Sequence, residues 1–86
     1  MKPLRFHWRN LARHDVDEAE IRECLFNRHL LFRNPQGGEK TYKVIGKTDV
    51  GRFVEFVYED KRDHWFVFHA MPARQADVKL YRRKVK

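Results

Sequence analysis

The stretch that most constrains this fold runs from Thr41 to Pro72, where apolar runs of strand length alternate with short turn signals. Thr41 to Thr48 has strand character. Thr48-Asp49-Val50-Gly51-Arg52 then supplies a tight connection, with Gly51 free to take a positive φ, before Phe53-Val54-Glu55-Phe56-Val57-Tyr58. Glu59 to Asp63 reads as a charged hairpin turn. Trp65-Phe66-Val67-Phe68 is apolar without alternation, which predicts a central strand covered on both faces and ending at Pro72. Upstream, Leu30-Leu31-Phe32 is a brief strand closed by Asn34-Pro35-Gln36-Gly37-Gly38, a Gly and Pro cluster that marks a turn. Connections this short join strands antiparallel, so the expectation is a meander of about four strands.

The segments flanking the meander read differently. Leu4, Phe6 and Trp8 alternate with Arg5, His7 and Arg9, the period of a short half-buried strand or extended lead-in segment. Asn10 to His14 fits a short helical turn. Asp17 as N-cap, Glu20 three residues on, and Val16 with Ile21 as a hydrophobic staple place a helix start at Asp17. Ile21, Cys24 and Leu25 form its apolar stripe, and its early acids suit the positive end of the helix dipole. Ala73 to Lys86 reads as a terminal helix running into basic residues. The expected class is therefore α+β: a small antiparallel meander packed against N-terminal helices, with a C-terminal helix.

At 86 residues the chain suits a single domain over 1–86, able to bury roughly 60–70% of its unfolded surface. The lone Cys24 forms no internal disulfide, and no apolar run of secretory or membrane-spanning length occurs, so a reducing cytoplasm is the expected compartment. Charge is unevenly spread. Residues 15 to 24 hold five acids against Arg22, which leaves 18 Lys and Arg against 7 Asp and Glu elsewhere, or +11. That footprint suits a nucleic-acid binder, although a solvated basic surface has the same charge.

Three segments in order carry a resemblance. Trp8, Asn10 and His14-Asp15-Val16 resemble the opening of the BrnT-like toxins of the RelE/ParE-like superfamily. Tyr42, Ile45-Gly46, Thr48-Asp49 and Gly51-Arg52 resemble that family's central segment, and Ala70, Pro72, Ala73, Asp77 and Tyr81 its closing signature. Two positions depart. Met71 stands where the family commonly has Arg, and Asp15 where it commonly has Gly. The resemblance implies a RelE-like fold and a metal-free ribonuclease toxin of a bacterial type II pair. It further implies a DNA-binding antitoxin as partner, through which operator DNA is bound indirectly. Either Arg74 substitutes for the arginine missing at Met71, or catalytic power is lost while the fold remains.

Metal-free RNA cleavage needs a base for the 2′-hydroxyl proton, an acid for the leaving 5′-oxygen, and cations for charge developing on phosphate. Arg52, His69 and Arg74 are the candidate catalytic residues, and Lys43, Lys47 and Tyr81 the candidate RNA-binding ones, expected to converge on one patch. Arg52, beside a glycine turn, can present a guanidinium to two phosphate oxygens, or be held by Glu55 or a turn carbonyl. Lys43 and Lys47 flank Ile45 on one strand face, for backbone contact or simply in solvent. Trp65, Val67 and His69 share a face at period two, which leaves His69 either a general acid or base or a buried structural histidine. Arg74 opens the last helix, as stand-in cation or ordinary surface residue. Tyr81, two turns further, either stacks on a base or packs the helix down.

Other chemistries fail on spacing. The five histidines and one cysteine form no zinc pattern, and no phosphate-binding glycine loop occurs, so neither metal nor cofactor is expected.

Overall fold

The computed structural model describes residues 1–13 and 15–85, together with their side chains except those of Asn10, Ala12, Arg13 and Pro35. Expectations that fell on His14 and Lys86 lie outside the described residues. In chain order the elements are β1 (Leu4–Phe6), α1 (Trp8–Arg13), α2 (Glu18–Phe26), β2 (Leu30–Arg33), β3 (Thr41–Lys47), β4 (Phe53–Asp60), β5 (Trp65–Pro72) and α3 (Gln75–Lys84). A short 3₁₀ turn, Pro35–Gly37, precedes β3.

The start of α2 follows from local chemistry. An Asp17 carboxylate oxygen accepts from the Glu20 N–H at 2.8 Å, and a Glu20 carboxylate oxygen accepts from the Asp17 N–H at 3.1 Å. This reciprocal pair satisfies two donors that the helix cannot pair internally. Val16 and Ile21, on either side of the cap, are both buried in the core. At the other end, the Asn27 side chain donates to the Lys47 carbonyl and to Asp49, and Glu23 accepts from the Asp49 N–H. The β3–β4 turn is thereby fixed to α2.

Strands β2 to β5 form the expected antiparallel meander, but the sheet has five strands in the order β1-β5-β4-β3-β2 and is mixed. The additional strand is β1, which runs parallel to β5 with Leu4 opposite Trp65 and Phe6 opposite Val67. The pairing is extended by the Trp65 N–H donating to the Pro3 carbonyl and the His7 N–H to the Val67 carbonyl. Without β1 the outer edge of β5 would present unpaired backbone groups. Trp8 leaves the alternating pattern and opens α1, largely exposed, with its ring 5.5 Å from that of Phe6.

The main core lies between α1, α2 and one face of the sheet, where Phe56, Val54, Val44, Ile21 and Cys24 are fully enclosed. Gly46 admits the closest approach: a Cβ there would sit 2.6 Å from the Cys24 Cβ. The next residues along β3 and β4 face the opposite way, because strand side chains alternate. That second face, which carries Lys43, Ile45, Lys47, Phe53, Glu55 and Val57, is covered in part by α3.

Two expectations for β5 are corrected. Tyr58 pairs with Val67 while Val57 pairs with His69, so Phe68 is a bulge residue. One extra residue reverses the alternation, which puts His69 on the α3 face and Val67 on the α2 face. The strand is also not covered on both faces: Phe66 and Phe68 are half-buried, with ring centroids 6.4 Å apart. Beyond β4, which runs through Asp60, the hairpin turn narrows, and the Lys61 N–H donates to the His64 carbonyl.

Candidate functional site

On the α3 face the sequence brings two acids and two cations into one cluster around Glu55. This residue lies mid-strand between Val54 and Phe56, and its side chain points away from the main core into the space under α3. It is only 3% exposed. Arg74 surrounds its carboxylate: the backbone N–H donates to Oε2 at 3.1 Å, and Nη2 lies 3.1 Å from Oε1. Asp77, one helical turn after Arg74, pairs with Lys43 at 2.9 Å and lies 3.7 Å from the Arg74 guanidinium. Lys43 is also 3.9 Å from Glu55.

Burial pushes the Glu55 carboxyl up from its ordinary range, and its hydrogen bond with Asp77 pushes the same way. Asp77 moves down, chiefly because Glu55 hydrogen-bonds to it and secondarily because Lys43 and Arg74 lie beside it. In the pH range where the two acids share one proton, the pair has a single negative charge against two cations. The cluster then carries a net positive charge that ionisation of Glu55 cancels. Arg74 is the exposed member, its side chain 64% accessible, so a buried carboxylate holds the guanidinium from below while its outer edge meets solvent.

His69 belongs to this face. It stands opposite Val57, two pairs along the ladder from the Glu55–Met71 pair, so His69 and Glu55 are diagonal neighbours on one face, a relation typically spanning roughly 7–8 Å. Met71 faces Glu55 directly across the ladder. The cation nearest Glu55 is the Arg74 guanidinium, at 3.1 Å against 3.9 Å for Lys43.

Arg52 lies elsewhere. Its Nη1 donates to Glu20 of α2 at 2.7 Å and to the Asp15 carbonyl at 2.9 Å, which places it on the α2 side of the sheet. The structure therefore brings Lys43, His69 and Arg74 to one face and separates Arg52 from them. The anticipated single patch of Arg52, His69 and Arg74 does not form. Asp15 has φ 55°, the left-handed region that favours glycine. Aspartate tolerates that conformation better than most residues, and there its carbonyl meets Arg52.

Lys47 and Tyr81 meet at a third place, around Phe53. The Lys47 ammonium is 5.5 Å and the Arg82 guanidinium 5.4 Å from the Phe53 ring centroid, and Tyr81 meets the same ring edge-on at 5.3 Å. Tyr81 is buried, and its hydroxyl donates to the Arg28 carbonyl at 2.8 Å. Its placement is that of a residue docking α3 onto the sheet, with no ring face open for stacking. Cys24 is enclosed under α2, where burial, then Glu20 and Glu23, push its thiol up to about 12, far from a reactive thiolate.

Glu55 and Asp77 were not among the expected site residues: Glu55 was weighed only as a partner for Arg52, which pairs with Glu20 instead, and Asp77 only as part of the closing signature. The signal was an acid at the centre of the apolar run Phe53 to Tyr58, where a solvated strand-end acid has no place. Among the described residues, no helix is long and apolar enough to cross a membrane. Comparison with protein-family models, with curated proteins and with solved structures gave no match.

Proposed function

We propose that this chain binds RNA on the α3 face of its sheet and cleaves it without a metal, as a toxin of the type II kind whose partner is a DNA-binding antitoxin. The observation that supports this most is the Glu55–Asp77 cluster, which presents Arg74 outward on the face that carries His69. Arg74 meets the carboxyl opposite Met71, so a guanidinium stands near the position where the family-like arginine is missing. The finer fold assignment, a RelE-like meander, belongs to the same proposal. In the reaction, the 2′-oxygen attacks the adjacent phosphorus and the bond to the 5′-oxygen breaks. His69 takes the 2′-hydroxyl proton and, so charged, returns it to the departing 5′-oxygen, while Arg74 stabilises the oxyanion charge on phosphorus.

Incubation of the purified chain with a long single-stranded RNA in EDTA tests this. The expected products carry 2′,3′-cyclic phosphate and 5′-hydroxyl ends, and His69→Ala slows their formation by about 10²- to 10⁴-fold. Intact RNA at high protein excess would contradict cleavage. A second reading, a non-catalytic RNA-binding module, is favoured by Met71 and by the carboxylates already paired with Lys43 and Arg74. It predicts salt-dependent binding without products.

The cluster also fixes a pH dependence. Because Glu55 is raised, its proton is lost above the ordinary carboxylate range, and with it the net positive charge facing RNA. Affinity falls as pH rises through that ionisation, by about ten- to a hundredfold if one charged hydrogen bond to phosphate is at stake. Glu55→Gln keeps the cluster positive throughout and removes this step. Titration of binding against pH for both proteins is the check, and an identical step in the variant would assign it to another group.

A further inference from the structure

The C-terminal half of α3 has a different electrostatic character from the cluster at its start. Among the described residues, no carboxylate pairs with Lys47, Lys79, Arg82, Arg83 or Lys84, whereas Lys43, Arg52 and Arg74 are each matched by an acid. Beside this unneutralised end, a groove of about 500 Å³ opens between the end of α2 and the end of α3. Leu25, Leu30 and Val85 supply apolar walls, Arg28 and Lys84 supply charge, and among the described residues no carboxylate lines it. Phe26 stands at its edge with 91% of its surface exposed. The opposite flank of Phe26 is acidic, with Glu23 and Asp49 beside Arg22.

We propose that this groove is a subsite for one nucleotide of single-stranded RNA, with a base stacked on Phe26 and its phosphate held by Lys84. A volume of this size lies within the range of small-ligand pockets. An exposed aromatic ring beside a cation such as Lys84 is a combination that binds single strands, because every base offers a π-face and every linkage a negative charge. Charge complementarity fixes the direction: the phosphate lies toward Lys84, since Glu23 and Asp49 repel it on the other side. The ten residues of α3 span roughly 15 Å, so the strand continues along the helix past Arg82 and Arg83 to Arg74. The Phe53 ring, flanked by Lys47 and Arg82, keeps part of that track in place.

This inference rests on the RNA-binding half of the proposed function and not on cleavage. The test uses a short fluorescein-labelled single-stranded oligonucleotide with 2′-O-methyl groups, which has no free 2′-hydroxyl to attack, titrated in EDTA across a potassium chloride series. Phe26→Leu, which keeps an apolar side chain but removes the ring, is expected to weaken binding about tenfold. Phe26→Tyr keeps the parent affinity. Lys84→Glu weakens binding and lowers the slope of log affinity against log salt by about 0.7 or more, the value for one phosphate contact on a single strand. Both side chains lie on the surface, and circular dichroism confirms that the variants are folded. Parent-like binding by Phe26→Leu and Lys84→Glu would overturn the subsite and leave the RNA reading intact. No affinity in the parent protein would overturn both. Equal displacement of the oligonucleotide by polyglutamate would assign the groove to acidic polypeptides instead.

Discussion

Arg74→Ala is expected to lower the rate of RNA cleavage by about 10²- to 10³-fold, the usual consequence of removing one preorganised donor from a developing oxyanion. The guanidinium owes its position to what lies beneath it. Glu55 is buried and cannot follow a mobile partner, so its contact at 3.1 Å with the guanidinium holds the arginine side chain in one direction before substrate arrives. Arg74→Lys restores the charge without the planar fork and recovers part of the rate at most. Stability changes little, because the side chain is mostly exposed and the backbone N–H bond to Glu55 survives the substitution. Arg52→Ala gives the opposite outcome. It removes the link from the residue preceding β4 to Glu20 and to the Asp15 carbonyl, at a cost of about 1 kcal/mol in stability, and leaves the cleavage rate unchanged. Single-turnover rates and thermal melts of the two variants separate these effects. An equal loss of rate in both would mean that catalysis is not confined to the α3 face.

Gly46→Val is expected to destabilise the chain by about 3 kcal/mol, at the upper end for overpacked sites, and to lower Tm by roughly 10–25 °C. The atoms a side chain would meet are not flexible ends. A Cβ at Gly46 lies 2.6 Å from the Cys24 Cβ and 3.2 Å from its Cα, so α2 itself must move away from the sheet. That movement strains everything docked with it. Asn27 and Glu23 at the end of α2 hold the β3–β4 turn, and Glu20 near its start holds Arg52. Gly46→Ala combined with Cys24→Gly moves the methyl-sized group from one partner to the other, and is expected to be more stable than the sum of the single changes allows. A Gly46→Val protein that melts within two degrees or so of the parent would mean that helix and sheet do not meet this closely.

Features set by neighbours in sequence were legible in it. Asp17 and Glu20 cap α2 through atoms three residues apart, and the turn from Thr48 to Arg52 needs only the positive φ of Gly51, 91°, and the Thr48 hydroxyl accepting from the Arg52 N–H. Features set by distant partners were not. The pairing of β1 with β5 joins residues about sixty positions apart, and nothing in Leu4 to Phe6 marks it as parallel. The bulge at Phe68 leaves no mark in an all-apolar run, yet it decides which face His69 takes. The cations were recognised as a class, but their carboxylate partners decide their roles. Glu20 lies 32 residues from Arg52 and Asp77 lies 34 from Lys43, separations that local pattern does not encode.

Amide chemical-shift mapping with an uncleavable 2′-O-methyl oligonucleotide tests most directly the proposal that the α3 face of the sheet handles RNA. The expected shifts fall on Lys43, His69 and the segment from Arg74 to Lys84, with Arg52 and the start of α2 unmoved. Shifts confined to Arg52, Asp15 and the first turn of α2, with α3 silent, would contradict it.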